Sequence, residues 1–100
     1  MIDVHLEIMP WLSRYFPSEG SGRVVMEKTV QDGTTVGDLL EALTAHNPEF
    51  RKVLFDTGTG RVVGYISVIL NDRFLELAGG MEALLKPGDT VRLMPGFSGG

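Results

Sequence analysis

Val36, Leu39, Leu40 and Leu43 fall at i, i+3, i+4 and i+7, one apolar stripe of an amphipathic helix. The long apolar patterns elsewhere are strand-like, so the chain folds as one main helix set among strands. Thr35 stands three residues before Asp38, a variant capping box with aspartate where glutamate or glutamine is usual. The same helix should stop near His46-Asn47, because Pro48 disfavours helical geometry in the residue before it. Glu41 and Thr44 are read on the side away from the stripe.

Ahead of the helix, Ile2, Val4, Leu6 and Ile8 alternate with Asp3, His5 and Glu7, a half-buried strand ended by Pro10. Arg23 to Val30 read as a second strand, with Val24, Met26 and Val30 of one parity and Lys28 interrupting. The pair predicts an antiparallel hairpin with a long connection over 11–22. That connection holds Trp11, Tyr15 and Phe16 beside Ser18-Glu19-Gly20-Ser21-Gly22, and two readings stand for its aromatics: a cover on one end of the core or a binding lip.

After the helix, residues 48–54 predict a short second helical turn with proline first. Tyr65 to Leu70 is the most strand-like run of the chain, rich in β-branched residues. Asn71-Asp72 signals a two-residue hairpin turn into a short Arg73-Phe74-Leu75. Met81 to Leu85, behind Gly79-Gly80, reads as loop with a helical turn, and Lys86-Pro87-Gly88-Asp89 as a type II turn. The last strand, Thr90 to Met94, runs into Pro95 and stops.

Chemistry is sparse. There is no cysteine, hence no disulfide, thiolate metal site or cysteine nucleophile. His5 and His46 lie in different elements, and no His/Cys/Asp cluster has metal-ligand spacing. Gly20-Ser21-Gly22 and Gly58-Thr59-Gly60 lack the strand-to-helix context and the lysine of a phosphate loop. The formal net charge of −4, without a run of Lys or Arg, argues against nucleic acid. The longest apolar run falls far short of the ~20 residues of a membrane helix. The expectation is a soluble, cytoplasmic domain over residues 1–95 that is a substrate or partner rather than an enzyme, with no cofactor.

What remains is the end, Pro95-Gly96-Phe97-Ser98-Gly99-Gly100. Three glycines and a serine have little means of ordering themselves, so 96–100 reads as a flexible tail. With Gly100 as the terminus, the tail carries a free α-carboxylate on a dipeptide without side chains, able to enter a channel too narrow for a Cβ. From Gly96 it reaches roughly 17 Å at about 3.4 Å per residue. A frayed end is the alternative. Phe97 is either an anchor for a partner pocket or an apolar group that folds back on its own domain.

Three stretches, in this order, carry a resemblance: Thr35-Val36-Gly37-Asp38-Leu39-Leu40, then Val68-Ile69-Leu70-Asn71-Asp72-Arg73, then Leu85-Lys86-Pro87-Gly88-Asp89-Thr90-Val91 running on to Pro95 and Ser98-Gly99-Gly100. Together they resemble the ubiquitin-like sulfur carriers of the MoaD/ThiS type, over nearly the whole chain. The resemblance implies a ubiquitin-like β-grasp, α+β, a mixed sheet with one main helix across it and a flexible C-terminal Gly-Gly tail. It implies that an E1-like enzyme adenylates Gly100, that a sulfurtransferase supplies sulfur, and that the resulting thiocarboxylate donates it in molybdopterin synthesis. Gly96, Phe97, Ser98 and Gly99 would then contact partners, including a large catalytic subunit like that of molybdopterin synthase. Thiamine, cysteine and tRNA thiolation are alternative destinations, and a protein modifier or a non-activated interaction module are alternative roles. The chain departs from the molybdopterin type at Pro95-Gly96-Phe97, where Pro-Pro and a small apolar residue are expected, and in its longer first hairpin loop.

Overall fold

The alternation at the N-terminus becomes β1, Ile2–Ile8, whose Val4, Leu6 and Ile8 are completely buried. The computed structural model describes residues 1–16, 22–56, 58–60, 62–63 and 66–95. β1 pairs antiparallel with β2, Val24–Val30, from Ile2 opposite Val30 to Ile8 opposite Val24. On its other side it runs parallel to β5, Thr90–Pro95, with His5 opposite Thr90 and Ile8 opposite Leu93. β3, Ile66–Leu70, lies antiparallel to β5 and continues into the two-residue β4, Arg73–Phe74. Among the described residues these strands form one mixed sheet in the order β2-β1-β5-β3-β4.

α1, Val36–Thr44, closes one face of that sheet with the stripe read from the sequence. Val36, Leu39 and Leu40 are buried with Val4, Leu6, Ile8, Val91 and Leu93, while Leu43 packs half-buried against them. Both halves of the capping box form: Asp38 N–H donates to Thr35 Oγ1 at 3.0 Å and Thr35 N–H to Asp38 Oδ2 at 3.1 Å. Aspartate therefore does here what a longer carboxylate does elsewhere. Thr44 corrects the reading of the helix: it is buried, one turn beyond Leu40 on the stripe itself. Its hydroxyl donates to the Leu40 carbonyl at 3.0 Å, which is how a polar side chain is accommodated in the core.

α2, Pro48–Leu54, begins with proline as expected. The Asn47 side chain caps it by accepting from Phe50 N–H at 3.1 Å. Residues 10–15 are not an open connection: Pro10–Tyr15 form a 3₁₀ helix. Asn47 Nδ2 donates to the Tyr15 carbonyl at 2.9 Å, and the Tyr15 and Phe16 rings lie 5.4 and 5.1 Å from that of the buried Phe50. Those two aromatics cover the core; Trp11, by contrast, is 42% exposed. Further on, Leu75 opens a 3₁₀ turn, Leu75–Leu77, instead of extending β4. Asn71 and Asp72 both have positive φ, 51° and 69°, as a type I′ hairpin turn demands. The strand read from Tyr65 begins at Ile66, Tyr65 lying outside the described residues.

Candidate functional site: the root of the C-terminal segment

β5 is the strand on which the C-terminal residues are mounted, and it is held on both sides. Its Val91 and Leu93 are fully buried between β1 and β3. At its start the Lys86–Asp89 turn carries Gly88 at φ +84°, and Asp89 N–H donates to the Lys86 carbonyl at 3.1 Å. The buried Asp89 carboxylate accepts from Lys86 N–H and from Asn71 Nδ2, each at 2.8 Å. Asn71 in turn accepts from Thr90 N–H at 2.9 Å, and the Asp89 carbonyl accepts from His5 N–H at 2.8 Å. The Asp89 carboxylate thus holds its own turn and the β3–β4 turn, while its backbone carbonyl holds β1, so that one residue joins three segments where β5 enters the sheet.

At the other end Met9 N–H donates to the Leu93 carbonyl at 3.3 Å, and the final rungs are Ser67 opposite Met94 and Ile66 opposite Pro95. Proline has no N–H, so the ladder loses a donor where the strand must stop. The expected site residues, Gly96, Phe97, Ser98, Gly99 and Gly100, lie outside the described residues, as does the flexible-tail reading. What the fold settles is the place from which they depart: the pole of the sheet formed by the C-terminal ends of β1 and β5 and the N-terminal ends of β2 and β3.

Around that root stand Met9 and Trp11 on the β1 side, Val25 on β2, and Val62, Val63 and Ile66 on the β3 side. A cleft of about 420 Å³ opens beside β3, lined by Val62, Val63, Ile66 and Ser67 among others. The uncovered face of the sheet is ionic at its centre. Glu7 lies 3.6 Å from Arg23 and 3.3 Å from Arg92, which also reaches Asp72 at 2.7 Å. The hydrogen bond to Glu7, before all other causes, raises the Arg92 guanidinium above its ordinary value. His5 faces Glu27 at 3.5 Å across β1 and β2. Among the described residues no group of three His, Cys, Asp or Glu side chains is placed to hold a metal ion. Nor is any helix among them long and apolar enough to cross a membrane.

Two positioning features escaped the sequence. Asn71 and Asp89 read as turn residues, and nothing in their spacing of 18 announces that they are partners. Gly37 was legible only as part of a motif, yet a Cβ there would stand 3.0 Å from the Met81 carbonyl oxygen. Its isolated position near the start of an apolar helix is the signal that could have found it.

A mixed five-stranded sheet, one main helix across it and a C-terminal segment leaving from the middle strand define a ubiquitin-like β-grasp domain. The profile of the ThiS family matches residues 18–100, and the chain belongs to that family of ubiquitin-like sulfur carriers. It is similar to the sulfur carrier protein CysO of Mycobacterium tuberculosis, 26% identical over 69 residues that make up 68% of this chain and 74% of that protein. It is also similar to small archaeal modifier protein 1 (SAMP1) from Methanosarcina acetivorans, 26% identical, covering 100% of this chain and 98% of that one with a TM-score of 0.71. A putative molybdopterin converting factor, subunit 1, from Pyrococcus furiosus shares the fold: 20% identical, covering 97% of this chain and 100% of that one, TM-score 0.70.

Proposed function

We propose that this chain carries sulfur on the carboxyl of Gly100. The observation that supports this best is the placement of β5: the innermost strand of the sheet is also the one that residues 96–100 follow in sequence. An α-carboxylate with a pKa near ~3.5 is ionised at neutral pH and inert as an acyl donor. Its oxygen attacks the α-phosphate of ATP in an E1-like enzyme, releasing pyrophosphate and leaving an acyl adenylate. Hydrosulfide, or sulfur at the same oxidation level delivered by a sulfurtransferase, then attacks the acyl carbon; AMP departs with the electron pair of the broken C–O bond, and a thiocarboxylate remains. No cysteine is needed on the carrier, in keeping with the sequence.

The destination expected from the sequence is molybdopterin synthesis, in which a large catalytic subunit accepts the tail, and likeness in fold to the Pyrococcus chain supports it. The relationship to the sulfur carrier protein CysO supports the carrier step without naming an acceptor, so the carrier step is the conclusion and the acceptor is a matter for reconstitution. A second reading, protein modification through an isopeptide at Gly100, is favoured by the likeness to SAMP1.

Incubation with an E1-like adenylating enzyme, ATP and hydrosulfide, followed by intact mass measurement, tests the proposal. The expected mass change is replacement of one oxygen by sulfur. No adenylate and no thiocarboxylate across a panel of such enzymes would sink it. Lysine-linked conjugates without thiocarboxylate would establish the modifier reading instead.

A further inference from the structure

Met9 stands beside Leu93 through its N–H to carbonyl hydrogen bond, and Trp11 follows two residues on. Leu12 N–H donates back to the Met9 carbonyl at 3.0 Å, so Trp11 stays within one tight turn of the end of β5. The turn is rigidly seated: Leu12 and Ser13 are buried, and Ser13 Oγ donates to the Pro10 carbonyl at 2.7 Å. Trp11 nevertheless keeps 42% of its surface exposed, and Val25, one rung from the same end of the sheet, keeps 54%. Met9 and Met94 complete an apolar surround to the root on the uncovered face, both half-buried. The other large apolar side chains exposed among the described residues lie elsewhere. Met1 precedes the far end of β1, Phe74 and Leu77 follow the β3–β4 turn, and Leu84 bridges Thr35.

The length of chain beyond Pro95 decides what can cover this pole. Five residues span at most about 17 Å when fully extended, while the domain measures 32 × 31 × 24 Å. An enzyme that holds Gly100 in its reaction centre must therefore bring its own surface against the root, and less than the full span is left if Gly99 and Gly100 enter a channel. An exposed tryptophan on a buried, hydrogen-bonded turn loses little freedom on being covered, and tryptophan is among the residues most enriched at binding hot spots.

We propose that Trp11 is the anchor by which the adenylating enzyme docks on this domain, with the exposed Val25 at the same end of the sheet. The proposal rests on the carrier reading of Gly100. It adds a contact on the folded domain, made by a side chain that does not take part in the chemistry. Affinity for the enzyme then comes from two places, the tail in the channel and the indole on the rim, and only the second is lost when Trp11 is truncated.

Two measurements test it with the full chain and an E1-like enzyme that adenylates it. In ATP–pyrophosphate exchange, Trp11→Ala should raise KM for the carrier about tenfold or more at nearly unchanged kcat, and Trp11→Phe should recover most of the loss. Trp11 is also the single tryptophan of the sequence, so biosynthetic 5-fluorotryptophan gives one ¹⁹F resonance, which should shift on addition of unlabelled enzyme and saturate near the same KM. This second readout needs no variant and stands even if Trp11→Ala folds poorly. An unmoved resonance at saturating enzyme, or a folded Trp11→Ala with wild-type KM, overturns the inference while leaving the carrier function intact. Failure of the unaltered chain to support exchange with every enzyme tried overturns the carrier reading, and this proposal with it.

Discussion

Asn71 donates to the Asp89 carboxylate at 2.8 Å across 18 residues of sequence, and with its own carbonyl oxygen accepts from the backbone of Thr90, the residue after Asp89. One amide side chain thus ties the β3–β4 turn to the start of β5 at two points. The clasp adds to the β1 and β3 ladders in holding the start of the central strand.

Removing the clasp should destabilise the domain. Asn71→Ala leaves a buried carboxylate oxygen and a strand N–H without these partners, a loss of about 1–3 kcal/mol. Asn71 also has positive φ, so Asn71→Gly, which keeps the backbone at ease, should show most of the same loss. Urea unfolding of both variants measures it; a loss below about 0.5 kcal/mol, the scatter of ordinary surface substitutions, would remove the clasp from the account.

Gly37 poses a contest between two effects of known size. Alanine in place of glycine within a helix gains up to about 1 kcal/mol. The new methyl would meet the Met81 backbone carbonyl at 3.0 Å and the Met81 Cβ at 3.3 Å, and a backbone atom cannot swing aside. Overpacking of this kind costs typically ~1–3 kcal/mol, so Gly37→Ala should be net destabilising. A higher melting temperature for the variant would show that the 3₁₀ turn at Gly80–Glu82 gives way easily.

Phe50 is fully buried under Tyr15 and Phe16. Phe50→Ala should cost about 3–5 kcal/mol. It should also loosen the 10–15 turn that seats Trp11, so hydrogen exchange at Leu12 should rise more than the global destabilisation accounts for. Exchange at Leu12 that simply follows global stability would uncouple that turn from α2.

Gly99→Leu separates folding from function. If residues 96–100 are an arm and the carrier reading holds, stability should stay within about 0.5 kcal/mol, while adenylation should be nearly abolished because the side chain blocks threading. Thermal melts beside pyrophosphate exchange decide it. An unfolded variant would make the tail structural, and normal adenylation would dismiss the narrow channel.

The elements themselves were legible because each carries a local signal. Alternation marked β1, the Val36–Leu43 stripe marked α1, Pro48 marked the start of α2, and Asn71-Asp72 and Pro87-Gly88 marked turns whose positive φ values the structure displays. The pairing of strands was not written locally: the family resemblance implied a mixed sheet, and that β5 lies between β1 and β3 is seen only in the structure. Thr44 was misassigned because a hydroxyl counts as polar until its hydrogen bond to the Leu40 carbonyl is seen. The aromatics of the first connection could not be apportioned either, since only the packing of Phe50 separates Tyr15 and Phe16, which it holds, from Trp11, which stays in view.

The middle strand of the sheet is the last of the five to be synthesised. Arg92 meets Glu7 across a sequence separation of 85 residues, so during translation the first hairpin waits for its neighbour until nearly the whole chain has been made. Contacts of such long range close late and slowly. A nascent or prematurely ended chain lacking β5 presents two unpaired sheet edges and no finished domain. Only a molecule that has been read through to β5 therefore has both a folded domain and the residues that follow Pro95.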